Sequence, residues 1–338
     1  MIEIKKALWV SDVTKILIKL GGECNINCKH CHCDMEEFSF NEDVIRWIKL
    51  QPNLVDIIFN GGEPLLYFDV MKDIVAKLGY KYHYSMVSNG TLLNDEIVKW
   101  VNENKIRYAI SFDGLMEHNG RDLSVPIRWD YARNLNRIYL ASHASGNNNI
   151  FEHQKDAMRV KNLFHLDNMP NEDGVNLNFI HEVATAPGAS KTMDDVKEYL
   201  KYYSHMIELQ IIKIKMGRNP REMFALWRAV TNWLTKKDYT WGTQCSNQKK
   251  ITVTLDGRFL RCPYTKDYYG DIYNGYDIDK CERNIPQKCK RCEIYEYCRN
   301  ICVENTTAHE CYIAKKMHKF LKQMEVKHSI DLTKTIAY

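Results

Sequence analysis

No cysteine occurs between residues 34 and 244 of this 338-residue chain, and no window of about 18 uncharged apolar residues occurs anywhere in it. The second absence leaves no candidate for a membrane-spanning helix. The N-terminal stretch MIEIKKALWVSDVTKILIKL also lacks the apolar run and small residues of a secretory signal. Charge of one sign is scarce as well: 47 Lys and Arg stand against 43 Asp and Glu, interleaved, for a net charge of +4. A basic stripe able to neutralise a phosphate backbone is therefore missing, and nucleic acid is not indicated as a partner. A hydrophobic fraction of 45% argues against disorder and is enough for a packed core. The expectation is a cytoplasmic protein with no membrane association.

The twelve cysteines are concentrated at the two ends of the region that has none, four between residues 24 and 33 and eight between 245 and 311. In a reducing compartment such clusters read as metal or cluster ligands rather than disulfides. The body between them alternates short apolar runs with amphipathic stretches. Strands are expected near Ile16–Leu20, Leu54–Phe59, His83–Val87, Arg107–Phe112 and Val175–Ile180, with a weaker one near Asn149–His153. Helices are expected near Glu42–Lys49, Phe68–Leu78, Asp95–Asn102, Trp129–Leu140, Asp156–Phe164, Met193–Ile212 and Arg221–Lys236, the last with Phe224, Trp227 and Trp233 on an apolar face. This βα rhythm is that of an α/β fold with a parallel sheet or barrel and helices outside, whose ligands sit at the C-terminal ends of strands. Beyond Gly242 come a hairpin pattern, ITVTLDGRFLRC, a cysteine-rich loop region and a closing helix near Ala308–Met324. A boundary near residue 238 divides residues 1–238 from a smaller domain, 239–338.

Polar, Gly-containing loops follow each of the first four strands: GECNINCKHCHC, NGGEP (60–64), SNGT (88–91) and SFDG (111–114). Any one of these could be a simple turn, but their recurrence on one rim favours a site. Cys24, Cys28 and Cys31 form a C-x3-C-x2-C set able to give three thiolates to a 4Fe-4S cluster and leave the fourth iron open. A zinc site completed by Cys33, His30 or His32 is the alternative, although the spacing is not that of a usual zinc module.

In order and spacing, CNINCKHC, GGEP, SNGT and SFDG with the following His118 resemble the radical S-adenosylmethionine (AdoMet) enzymes, over roughly residues 13–190. The resemblance implies a partial (β/α)6 barrel, TIM-like, and a cluster whose open iron binds AdoMet and cleaves it to a 5'-deoxyadenosyl radical. By the same likeness Gly61, Gly62 and Glu63 hold the methionine amino group, and Ser88, Asn89 and Ser111 lie near its carboxylate and the ribose. His30 takes the place of the aromatic residue usually set against the adenine. Arg121 stands one position earlier than the family's arginine, where a surface arginine is the competing reading.

The later cysteines Cys245, Cys262, Cys289, Cys292, Cys298, Cys302 and Cys311, with Gly257 before Cys262, match the seven-cysteine pattern of the SPASM extension of such enzymes. By that likeness Cys289, Cys292, Cys298 and Cys311 ligate one auxiliary 4Fe-4S cluster, and Cys245, Cys262 and Cys302 supply three ligands to another, for three clusters in all. Cys281 is a candidate fourth ligand of that second cluster. A zinc ribbon built from Cys289, Cys292, Cys298 and Cys302 is the alternative.

The function expected from this resemblance is oxidative modification of a peptide or protein, as in ribosomal peptide maturation by thioether or carbon–carbon crosslinking. A flavodoxin or ferredoxin-type protein would donate the electron. Formylglycine formation of the sulfatase-maturase type is disfavoured, because Pro263 stands where those relatives carry an Asp. With 23 residues before Cys24, a leader peptide would need a separate binding partner. Radical chemistry on a small molecule and a non-enzymatic metal scaffold are the remaining alternatives. No general base is assigned; His181 and Glu182 are candidates for which a structural role is the favoured reading.

Overall fold

A computed structural model of the chain describes residues 13–29, 31, 33, 35–115, 121–141, 150–166, 193–220, 223–236, 250–260, 267–277, 287–298 and 308–336. Five strands, β1 (Lys15–Lys19), β2 (Asp56–Asn60), β3 (His83–Ser88), β4 (Arg107–Ser111) and β5 (Ile138–Ala141), run parallel in the order β5-β4-β3-β2-β1. Between them lie α1 (Glu42–Lys49), α2 (Phe68–Leu78), α3 (Asp95–Glu103) and the single turn α4 (Trp129–Ala132). Apolar side chains from both layers, among them Ile16, Ile18, Phe59, Tyr108, Trp47 and Val101, form one continuous core. Asn41 and Asn94 start α1 and α3 by accepting backbone N–H bonds from Asp43 and Ile97, caps worth about 1 kcal/mol each.

The expected ends of β1 to β4 and α1 to α3 agree with the structure to within two residues. The expected helix over Trp129–Leu140 does not. It stops after one turn, and Ile138–Ala141 becomes β5, paired from Ile138 opposite Tyr108 to Ala141 opposite Ser111. Asn102 makes the break: its side chain donates to the Asn134 carbonyl and accepts from Asn136 N–H, turning the chain back toward the sheet. The strand expected near Asn149–His153 is instead the start of α5 (Ile150–Leu163). Val175–Ile180 lies outside the described residues.

The sheet does not end at β1. Strand β6 (Lys250–Thr254) pairs in parallel with β1, and β7 (Arg258–Leu260), β8 (Tyr268–Asp271) and β9 (Gly275–Tyr276) extend it antiparallel to nine described strands. Thus Ile251, Val253 and Phe259, which lie past residue 238, belong to the first core.

A second core joins α6 (Met193–Lys215) and α7 (Phe224–Trp233) to α9 (Ala308–His328) and α10 (Leu332–Ile336), with Ile207, Leu226, Trp233 and Met317 at its centre. Trp233 is fully buried there, whereas Trp227 on the same helix is 39% exposed, so the two tryptophans do not share an apolar face. The short helix α8 (Gln287–Lys290) carries Cys289.

Candidate functional site

The site is built on the C-terminal rim of β1 to β4. Past the end of β1 the chain stays zipped to the loop after β2: Leu20 N–H donates to Asn60 C=O at 2.8 Å, Gly62 N–H to Gly21 C=O at 3.0 Å, and Glu63 N–H to Glu23 C=O at 2.8 Å. This approach explains the two glycines in NGGEP. A Cβ on Gly62 would stand 2.2 Å from the backbone oxygens of both Gly22 and Glu23, and one on Gly61 2.9 Å from Gly21 O. Those contacts are with backbone, which cannot swing aside. Gly62→Ala is therefore expected to push the two loops apart and cost on the order of 2–4 kcal/mol, read as a lowered urea midpoint with unchanged m. An alanine variant as stable as the natural chain would show that the loops are not held this closely.

Three further ties fix the cysteine loop. Glu37 pairs across a bridge with Gly21, and its carboxylate accepts from Gly22 N–H, Glu23 N–H and the Tyr67 hydroxyl. From the loop after β3, Asn89 Nδ2 donates to Asn25 Oδ1 at 2.9 Å, while Asn25 Nδ2 donates to Thr91 Oγ1 at 2.8 Å. From beyond β4, the Asp122 carboxylate accepts Asn27 N–H at 2.7 Å.

These ties surround a cavity of about 100 Å³ lined by Cys24, Cys28, Cys31, Cys33, Gly61, Gly62, Ser88, Asn89, Ser111 and Arg121, among others. Each thiol of the C-x3-C-x2-C set has an N–H aimed at its sulfur. Asn89 Nδ2 lies 3.8 Å from Cys24 Sγ, Asp122 N 3.4 Å and Arg121 Nη1 3.7 Å from Cys28 Sγ, and Cys33 N 3.4 Å from Cys31 Sγ. Burial raises the Cys24 and Cys28 thiols above their ordinary range, so each keeps its proton until a cation replaces it. Sulfurs that receive N–H donors are suited to thiolates on an iron cluster, and the residues present fit that group. Among the described residues, no three His, Cys, Asp or Glu side chains converge as the ligands of one ion do.

Cys33 lines the same cavity but turns its thiol to the Gly61 carbonyl, 3.3 Å away. Its proton is held firmly, first by the neighbouring Cys31 side chain and then by burial. Glu63 is absent from the cavity lining. Its fully buried carboxylate accepts from Leu65 N–H at 3.0 Å, Ser88 Oγ–H at 2.8 Å and Asn89 N–H at 2.7 Å. Ser88 is similarly engaged, accepting from the Tyr108 hydroxyl and Gly90 N–H while it donates to Glu63. His30, His118, His181 and Glu182 lie outside the described residues.

Sequence reasoning left Arg121 between a site and a surface role, and the structure buries it. Its side chain is 10% exposed, and its guanidinium grips the Asp113 carboxylate, itself fully buried, through Nε and Nη2, both at 2.6 Å. Of the four other side chains that hold the site, Glu37, Tyr67 and Asp122 stand in no motif that marks them. Asp113, within SFDG, was the one with a signal.

In the second cysteine-rich region, Cys289 is buried and packs on Tyr295 and Cys298. Cys292 and Cys298 pack against the second core, and Lys315, paired with Glu293 at 3.2 Å, lies near both Cys292 and Cys311. Four of the seven expected ligands thus share one neighbourhood. Cys245, Cys262, Cys281 and Cys302 lie outside the described residues.

Residues 18–149 match the family described as Radical SAM superfamily. An uncharacterized protein of Methanocaldococcus jannaschii is 30% identical over 116 residues, 31% of this chain and 41% of that one. The chain therefore spans under half the length of that relative. A probable GTP 3',8-cyclase of Saccharolobus islandicus is 24% identical over 264 residues, covering 75% of this chain and 84% of its own. Among solved structures, native anSMEcpe with bound AdoMet and Cp18Cys peptide matches with a TM-score of 0.61 at 16% identity, over 94% of this chain and 99% of that one. Streptococcus suis SuiB bound to precursor peptide SuiA matches with a TM-score of 0.54 at 13% identity, over 88% and 74%. The likeness to these two structures is one of fold.

Proposed function

We propose that this chain, a radical SAM enzyme, uses the cavity at the β1–β4 rim to cleave AdoMet and oxidatively modify a peptide or protein substrate. The observation that carries the reading is the set of three N–H-dressed thiols, Cys24, Cys28 and Cys31, around one cavity. When bound, the 4Fe-4S cluster and AdoMet would supply the 5'-deoxyadenosyl radical that abstracts a hydrogen atom. The chain's own residues do the rest. The three thiolates would hold the cluster, and the loops after β2 and β3 wall the cavity beside it. Glu63 braces the loop that carries Ser88 and Asn89, and Asn89 and Ser111 stand in the cavity wall where AdoMet would lie.

A peptide substrate is supported by the two solved folds with bound peptides, and by the shared neighbourhood of Cys289, Cys292, Cys298 and Cys311, the expected ligands of an auxiliary cluster of the SPASM kind. Such a cluster would take up the electron left on the substrate. A small nucleotide substrate is the second reading, favoured by the cyclase match over 75% of the chain.

The test uses the full chain loaded anaerobically with iron and sulfide, given dithionite and AdoMet. 5'-Deoxyadenosine is the expected product, and a fully loaded sample that forms none overturns the enzyme assignment. Adding candidate peptides or GTP then separates the two readings: a peptide mass shift supports the first, and loss of GTP with no peptide altered supports the second.

A further inference from the structure

We propose that Arg121 and Asp113 form a buried charge pair that sets the reduction potential of the cluster held by Cys24, Cys28 and Cys31, the guanidinium raising it through Cys28 and the carboxylate opposing it. This rests on the reading of those three thiols as cluster ligands.

The geometry is that of an oriented dipole. Asp113 takes Nε and Nη2 of the guanidinium, and the remaining nitrogen, Nη1, is left pointing at Cys28 Sγ, 3.7 Å away. Both side chains are withdrawn from water, with exposures of 10% for Arg121 and 0% for Asp113, so their charges are poorly screened at the sulfur. The next residue adds a second donor to the same atom, Asp122 N at 3.4 Å from Cys28 Sγ. Cys28 thereby receives two donors, one of them carrying the charge of a guanidinium.

Reduction adds one electron to the cluster. Positive charge and N–H bonds at a ligating sulfur favour the reduced form and raise the potential, and negative charge does the reverse. The two residues act through Cys28, so they are positioning residues rather than catalytic ones. A merely structural pair would behave otherwise, because losing either member would disturb the site in the same sense.

That difference in sign is the test. The loaded full chain is titrated with a mediated reductant in the absence of AdoMet. The readout is the paramagnetic signal that a separate aliquot shows to change when AdoMet is added. Arg121→Gln is expected to move the midpoint to more negative potential by about tenfold in the reduced-to-oxidised ratio, or ~59 mV for one electron. Asp113→Asn is expected to move it to more positive potential, and Arg121→Lys, which keeps the charge but loses the reach of Nη1, to shift it negatively by less than Arg121→Gln. Should Arg121→Gln fail to accumulate as folded chain, the Lys and Asn variants decide by their opposite signs. Shifts of the same sign, or unchanged midpoints at full iron content, overturn the inference alone. If the unaltered chain gives no AdoMet-responsive signal, the cluster assignment fails and this inference falls with it.

Discussion

Cys28→Ala, loaded and assayed as above, is expected to form no 5'-deoxyadenosine, while Cys33→Ser keeps most of the activity of the natural chain. The two thiols stand in the same cavity wall, and their surroundings are what separate them. Cys28 Sγ is an acceptor, approached by Arg121 Nη1 and Asp122 N–H, and removing it leaves two half-buried donors aimed at nothing. Loss of a ligand should exceed the ~10–100-fold that the loss of an outer partner costs, and about four irons per chain should go with it. Cys33 is a donor, giving its S–H to Gly61 C=O at 3.3 Å, and a serine hydroxyl keeps that bond. Its substitution should cost less than tenfold. Iron content and 5'-deoxyadenosine are read on the same samples. Equal losses in both variants would mean that Cys33 is a ligand and that the three-thiol reading is wrong.

The rim loops were legible because each follows a strand whose sequence announces it. KILIK, DIIFN and RYAIS are short, mostly apolar and bounded by polar turns, and β1, β2 and β4 appear where they fall. Residues 129–140 were misread because Leu135 and Ile138 sit at helical spacing, and nothing in the stretch reveals that β4 offers an open edge for Ile138–Ala141. Tertiary pairing overrode local pattern there. The same cause hides the return of the chain to the sheet: β6 pairs with β1 across some 235 intervening positions, Lys15 opposite Lys250, and no local signal encodes such a partner. A boundary near residue 238 is natural on texture. In space, however, strands after it join the first core, and α6 and α7 before it pack with α9 and α10.

Site chemistry divides along the same line. Ligand spacing within one loop is readable, whereas Arg121, one position off the expected register, gains its meaning only from Asp113 and Cys28 brought together in the fold. The supports from Glu37 and Tyr67 are less legible still. Their partners Gly22 and Glu23 precede them by 14 to 44 positions, and an isolated Glu or Tyr in a loop carries no pattern.

Glu63→Ala is expected to be the most damaging single change among residues absent from the cavity wall. Although GGEP invites reading its glutamate as a ligand contact, the carboxylate is wholly committed to protein: Oε1 accepts from Leu65 N–H and Ser88 Oγ–H, and Oε2 from Asn89 N–H. It starts the short 3-10 turn Pro64–Tyr67 and ties the loop after β2 to the loop after β3. Alanine strands three donors away from water at about 1–3 kcal/mol each, and partial rearrangement would leave a net loss on the order of 3 kcal/mol. Asn89 would then lose its anchor, and with it the contacts to Asn25 and Cys24 that hold the cysteine loop from that side. AdoMet cleavage should fall ~10–100-fold, as it does when outer partners of metal ligands are removed. Glu63→Gln should be milder. Its one carbonyl oxygen can keep Leu65 and Ser88, but its amide NH2 then faces Asn89 N–H, donor against donor. Urea midpoints and 5'-deoxyadenosine rates on the three chains decide the matter. A strut predicts stability and activity falling together in the order Glu, Gln, Ala. An alanine variant that keeps full stability while losing AdoMet binding would return Glu63 to the role of a ligand contact.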